Sequence, residues 1–374
     1  MADESRRAVI SGVGVVTAAG SGMSALSAAL EEGRLLAKPV AAFDASGFPV
    51  AVACEVPGLD ARALARTPKD AKILARSAVL ALGALEDLKA STPGRWFDDP
   101  WTAGFFLGVG MEQGDHRDVL GMLAASRRRG KVILARLASQ GMDAMNPLSS
   151  LKTLPNMSLA QIGIKLGDDA PRGPNAAYSP FDAASIEAVA AAAEAIVTGE
   201  CDVALAGGVD APVSLFGMTA FHRLGIVRDA RPLGEAAALF LVETEDRARA
   251  NGRTPLVELR GWGAASDGNR VGLESWETVA ASARGALAWA GGGAGSIREI
   301  VSSVGDPVYD GDAFGCRGVK VTAVRRVFGE TCAAGGALAL AAAIGRLAES
   351  RDRALVTAGA FGGAAASIVV QGIA

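Results

Sequence analysis

Residues 173–208 read GPNAAYSPFDAASIEAVAAAAEAIVTGECDVALAGG. The spacing predicts a strand over 173–179, an alanine-rich helix over about 183–198, a short TGE turn and an apolar strand over 201–208. Residues 330–359, ETCAAGGALALAAAIGRLAESRDRALVTAG, repeat that order of alanine-rich helix, polar turn and apolar strand. The correspondence predicts two similar α/β halves, each built on a central helix packed through small side chains. Outward from these stretches, AVISGVGVV (8–16) and TAGFFLGVG (102–110) read as buried strands. MSALSAALEEG and residues 68–90 read as helices, and strands are expected at 235–243, 254–263, 298–304 and 366–371. Residues 112–145 mix charge and apolar side chains without a clean period, as an excursion from the core would. The expected division is 1–215, carrying that excursion, and 216–374, with the two halves forming one compact unit.

The chain has 374 residues, half of them hydrophobic, which excludes a mainly disordered protein. Its 37 basic and 40 acidic side chains give a formal charge of -3, too balanced for broad attraction to nucleic acid or an anionic membrane. Cys54, Cys201, Cys316 and Cys332 are far apart and show no CxxC spacing, which fits a reducing cytoplasm. MADESRRAVISGVGVV lacks the long apolar stretch of a signal peptide, and the alanine-rich segments are interrupted before they could span a bilayer. RRRGK at 127–131 is either a solvated surface or a contact for an acidic partner. Gly12, Gly14 and Gly20 do not have GxGxxG spacing and fit tight packing or a turn, so no nicotinamide cofactor is expected.

Asp182 stands at the junction of strand and helix, where a carboxylate can accept free backbone N–H groups and meet the positive end of the helix dipole. Pro180 restricts the chain just before it. These features favour a helix cap over direct chemistry. Glu330 begins the comparable later element, with Arg325 five residues upstream. It reads as a cap or a buried ion pair, although two acids facing one pocket could also form an acid/base pair. His116 and His222 are the only histidines, and neither lies beside a nucleophile. No metal-ligand cluster, Walker A loop or EF-hand spacing occurs, so no metal is expected.

The chain resembles the β-ketoacyl synthase family through VISGVGVVTAAG (9–20), FDASGFPV (43–50), LPNMSLAQIGIKLGDDAPRGPN (154–175), DVALAGGVDAPVS (202–214) and AGAFGGAAASIVV (358–370). That resemblance implies a thiolase-like duplicated α/β fold with α-β-α-β-α layers. It also implies that Asp182 occupies the place of the nucleophilic cysteine, Val304 (in SSVGDP) the first catalytic histidine, Glu330 the second, and Arg325 the family lysine. A carboxylate would form a mixed anhydride rather than a transferable thioester and is a far weaker nucleophile than a thiolate. Phe361, Gly362 and Gly363 retain a family loop beside the active site, whereas Ala365 replaces its asparagine.

The degenerate positions resemble those of a chain-length factor, the non-condensing subunit of a two-chain ketosynthase. The resemblance implies an accessory subunit that stabilises a catalytically intact ketosynthase in a heterodimer or larger assembly and shapes its acyl tunnel. The product would be a polyketide, polyene or specialised fatty acid. An acyl carrier protein would be a partner, with acyl-phosphopantetheine supplied by it and no cofactor of the chain's own. Phe181, Met218, Phe221 and Phe361 are the candidate tunnel or gate residues. The alternatives are an acyl-processing enzyme using Asp182 and Glu330 in hydrolysis or cyclisation, and a homodimeric binding or scaffold protein.

Overall fold

The computed structural model describes residues 6–111, 116–179, 181–268, 275–304, 311–359 and 361–373. The readings of Pro180, of EQGD at 112–115 and of GDPVYD at 305–310 lie outside the described residues. Among the described residues the main sheet has eleven strands, of which a two-residue strand, Gly20–Ser21, only extends the pairing of the first; the other ten are β1 Ala8–Thr17, β2 Ala103–Val109, β3 Asn175–Tyr178, β4 Val203–Asp210 and β5 Ala236–Thr244, then β6 Val257–Ser266, β7 Ile297–Ser302, β8 Val321–Ala323, β9 Arg353–Gly359 and β10 Ala364–Gly372. Their order is β8-β7-β9-β10-β6-β1-β5-β4-β2-β3.

This order is a duplication. Within the first half, β2 pairs in parallel with β3 and β4, while β5 pairs antiparallel with β4 and β1. Within the second, β7 pairs in parallel with β8 and β9, while β10 pairs antiparallel with β9 and β6. The five strands of each half thus follow the same order and directions. The halves join where β1 and β6 pair through Val9 with Glu258 and Ile10 with Val257. Because β5 pairs with β1 and β4, it belongs to the first half-sheet, although it lies beyond residue 216, where the sequence reading begins the second half.

The main helices are α1 Arg76–Ser91, α2 Ala183–Val197, α3 Leu215–Arg223, α4 Trp276–Ala290 and α5 Gly335–Leu347. Helix α1 packs on the first half-sheet and α4 on the second, while α2 and α5 pack on each other and on strands of both halves. The layers are therefore α-β-α-β-α. A central helix wedged between two sheets has no room for long side chains, which is why AASIEAVAAAAEAIV and GGALALAAAIGRL are dominated by alanine and glycine. Ser185 ties the pair together: its hydroxyl accepts from the Ala337 N–H at 2.8 Å. Strand β4 is buried along its whole length, so it reads as a continuous apolar run instead of an alternating one.

The glycines of GVGVV serve packing. A Cβ on Gly14 would lie 2.1 Å from the Ala84 carbonyl oxygen and 2.4 Å from the Leu88 nitrogen, both backbone atoms of α1. Gly14→Ala should therefore cost about 3 kcal/mol through overpacking, read as a lower urea midpoint at unchanged slope. The aperiodic segment after β2 forms a helix over His116–Ser126 and an exposed two-stranded hairpin, Arg127–Arg128 with Lys131–Val132, and a short helix, Ser149–Thr153, follows it.

Candidate functional site

Asp182, Arg325 and Glu330 converge at the ends of the two central helices. Phe181 has φ +51°, a left-handed conformation that costs a non-glycine residue about 1–3 kcal/mol. The chain is thereby turned so that Asp182 is already helical (φ −54°, ψ −31°). The Ala184 N–H is satisfied by the Phe181 carbonyl at 2.8 Å. The Asp182 carboxylate consequently makes no cap hydrogen bond, which corrects the capping expectation. Its Oδ1 instead lies 3.7 Å from Arg325 Nη2. Gly335 makes room for it, since a Cβ there would stand 2.6 Å from Oδ1.

Glu330 does not begin the helix either; it precedes a 3-10 turn at Cys332–Ala334, and α5 starts at Gly335. Its backbone is pinned in a bridge beside Leu233, donating to the Pro232 carbonyl and accepting from the Gly234 N–H, both at 2.8 Å. The side chain is a buried ion pair, one of the two readings its position allowed. Oε2 lies 3.1 Å from Arg325 Nε and accepts from Arg231 Nε at 3.0 Å, while Oε1 accepts from the Cys332 N–H at 3.1 Å. Asp182, Arg325 and Glu330 are 1%, 5% and 0% exposed. Burial pushes the Glu330 carboxyl up, but Arg325 and then Arg231 outweigh it and hold the group below the usual carboxylate range.

Two members of the site were not singled out in the sequence. Arg231 reaches in from the RDARPLGE segment. Asp210, at the end of β4, accepts from the Ala333 N–H at 3.1 Å, so it and Glu330 together satisfy the start of the 3-10 turn. Cys332, at φ +45°, sits between them and is buried. Its thiol is pushed well up by burial, then by Glu330, Asp210 and Asp182, so it is held as an inert thiol.

Val304 is not part of this charged centre. It packs with Val279, Ile300 and Phe314 in the apolar cluster beneath α4. The four proposed tunnel residues do come together: Met218, Phe221 and Phe361 share a cluster with Cys332, and the half-buried Phe181 packs against it. The rings of Phe181 and Phe361 are 4.1 Å apart, and Phe361 meets Phe221 edge-on at 5.3 Å. His222 stacks on Phe48 at 5.3 Å. Among the described residues no His/Cys/Asp/Glu group has a metal-binding arrangement, and no helix is long and apolar enough to cross a membrane.

A pH dependence follows from the Glu330 environment. Because its folded-state pKa is depressed, its stabilising contribution is complete above its unfolded value, about 4.3, and is lost as pH falls through the lower folded value. Glu330→Gln should remove that part of the acid slope: the variant is less stable than the parent at pH 7, and the gap narrows below about pH 4.3. Urea melts between pH 7 and pH 3 measure this directly.

Residues 5–241 match the family model for the β-ketoacyl synthase N-terminal domain. Nodulation protein E of Rhizobium sp. (strain N33) is 26% identical over 341 residues, covering 87% of this chain and 78% of the relative. The 3-oxoacyl-[acyl-carrier-protein] synthase 2 of Mycobacterium bovis is 31% identical over 152 residues, and that match spans 35% of each protein. Among solved structures, the ishigamide ketosynthase/chain length factor superposes with a TM-score of 0.82 at 22% identity, covering 99% of this chain and 100% of that one. A β-ketoacyl synthase from Burkholderia phymatum STM815 gives 0.80 at 21% identity, covering 99% and 100%. These superpositions show a shared fold.

Proposed function

The chain belongs to the β-ketoacyl synthase family, and from that premise we propose that it is a non-condensing, chain-length-factor-like subunit. In this reading it stabilises a catalytically intact ketosynthase and helps shape the tunnel for acyl intermediates carried on an acyl carrier protein, in polyketide, polyene or specialised fatty-acid synthesis. The observation that carries the reading is the Asp182–Arg325–Glu330 ion network at the positions where the family resemblance places the cysteine, lysine and second histidine. Both carboxylates are buried and electrostatically committed to arginine, which leaves neither as an accessible nucleophile or base and argues against hydrolysis or cyclisation at this centre. The chemistry then falls to a partner.

Two surface features support a protein partner. Strand β3 is a sheet edge paired on one side only, with a partly exposed face. In the excursion Leu134 and Met142 are exposed, and just after it so are Leu148, Leu151 and Leu154, an apolar display that favours burial in an assembly. The phenylalanines around Phe361 are proposed to act on tunnel shape from behind, as a packed wall at this chain's end of the acyl path.

Co-expression with ketosynthases of the same pathway, followed by purification and an acyl-carrier-dependent condensation assay, tests the proposal. A stable heteromer is expected whose condensation rate changes by less than about threefold on Asp182→Ala. Loss of condensation with assembly preserved would instead favour chemistry at Asp182, and a homodimer that takes up no synthase would favour the scaffold alternative.

A further inference from the structure

A second site lies at the opposite end of the second half-sheet. A cleft of about 500 Å³ is bordered by Ala294–Arg298, except Ser296, and by Gly315–Lys320. These segments adjoin the entering ends of β7 and β8, whereas Val304 follows the other end of β7. Six strand residues, roughly 20 Å, separate the two locations. The cleft is therefore distinct from the Asp182–Glu330 centre.

Among the described residues its lining carries three cations, Arg298, Arg317 and Lys320, and no acid, while the Asp312 carboxylate stands beside the lining at the Gly318 N–H. Arg298 is held in place, its Nη1 donating to the Gly295 carbonyl at 2.8 Å and the Ile297 carbonyl at 3.2 Å. Arg317 and Lys320 are exposed and make no ion pair or hydrogen bond among the described residues. The loop that carries them is built rather than loose. Gly311 and Cys316 bond to Val319 and Gly311 carbonyls at 3.0 and 2.7 Å, Val319 returns to Cys316 at 3.2 Å, and Gly318 N–H donates to Asp312 Oδ1 at 3.3 Å. Two cations are thus presented from a closed loop against a third that is anchored on the facing segment.

A space of this volume is in the range of small-molecule sites. Guanidinium groups suit phosphoryl oxygens through paired N–H donors, and an ammonium adds a point charge. We infer that this cleft binds a small molecule bearing a phosphoryl group, with Arg317 and Lys320 as its principal contacts and Arg298 completing the wall.

Isothermal titration of the intact chain with inorganic pyrophosphate, at ionic strength held constant with KCl, tests the assignment; parallel titration with inorganic phosphate shows whether one or two phosphoryl groups are engaged. Saturable binding is expected, weakened at least tenfold in R317A/K320A with an unchanged urea midpoint. A second variant leaves the cations alone: a Cβ on Gly295 would meet nothing within 4 Å, so Gly295→Leu should fold normally while obstructing the cleft and weakening binding at least tenfold. Absence of saturable heat up to millimolar pyrophosphate, or equal affinity in the parent and both variants, would overturn the inference. So would a heat that chloride at matched ionic strength reproduces.

Discussion

Arg325→Met should lower the unfolding free energy at pH 7 by roughly 3–5 kcal/mol, the usual cost of removing one partner from a buried ion pair. Arg325 is 5% exposed and stands 3.1 Å from Glu330 and 3.7 Å from Asp182. Methionine fills a similar volume but supplies no charge, so two buried carboxylates are left with Arg231 as the nearest compensation for Glu330. The Glu330 carboxyl, held low chiefly by Arg325, then titrates higher, and its protonation relieves part of the strain. The variant's deficit should accordingly be largest at neutral pH and shrink toward pH 4, which separates loss of charge from loss of packing. A second substitution checks the assignment: adding Glu330→Gln to Arg325→Met should recover some of the lost stability, because it leaves one buried carboxylate charge where Arg325 had balanced two. A deficit under about 1 kcal/mol, or one independent of pH, would show that the network does not hold the centre together.

Asp182→Cys, made in the chain by itself, should yield no condensing activity, with turnover of an acyl carrier substrate remaining at least about 10³-fold below that of an intact synthase. A thiol needs to reach its thiolate and needs a proton acceptor. At position 182 it would face Arg325, which favours ionisation, but also the buried Glu330, which opposes it. Cys332 in the same surroundings is already driven well up by burial and by Glu330, Asp210 and Asp182. Where the family resemblance places the first histidine, Val304 is packed into an apolar cluster, and His222 stacks on Phe48. Decarboxylation of a malonyl-carrier substrate and labelling by iodoacetamide give two readouts. Condensation restored by this single change would mean that the remaining machinery is competent, and the non-condensing proposal would fail.

The alanine-rich stretches at 183–198 and 330–359 announced the duplicated fold because both effects at work there are local. Small side chains, unbroken by proline, favour helix, and continuous apolar runs such as VALAGG favour strands buried on both faces. Helix α4 was less legible, because WETVAASARGALAWA runs between two glycine-containing stretches without a strong start signal beyond Ser275. The membership of β5 in the first half-sheet is nonlocal: nothing in its AAALFLVET says that it pairs with β1, more than two hundred residues earlier.

By itself, the sequence determined the α/β class, the repeat of helix, turn and strand, and the residue types at the positions that the resemblance matches to the family's cysteine, histidines and lysine, since these depend on local propensity and on identity. Only the tertiary structure decided what those residues do. An acid before a helix satisfies the rule for a cap equally well whether it caps or not; the left-handed turn at Phe181 and the space over Gly335 aim Asp182 at Arg325 instead. Glu330 is likewise fixed by Arg231, about a hundred residues away in the chain, and Asp210 acquires its role by meeting the Ala333 N–H. Such pairings are set by where two half-sheets bring distant strand ends together, and the Coulomb and hydrogen-bond energies that define the centre depend on distances of a few ångströms that no local pattern encodes.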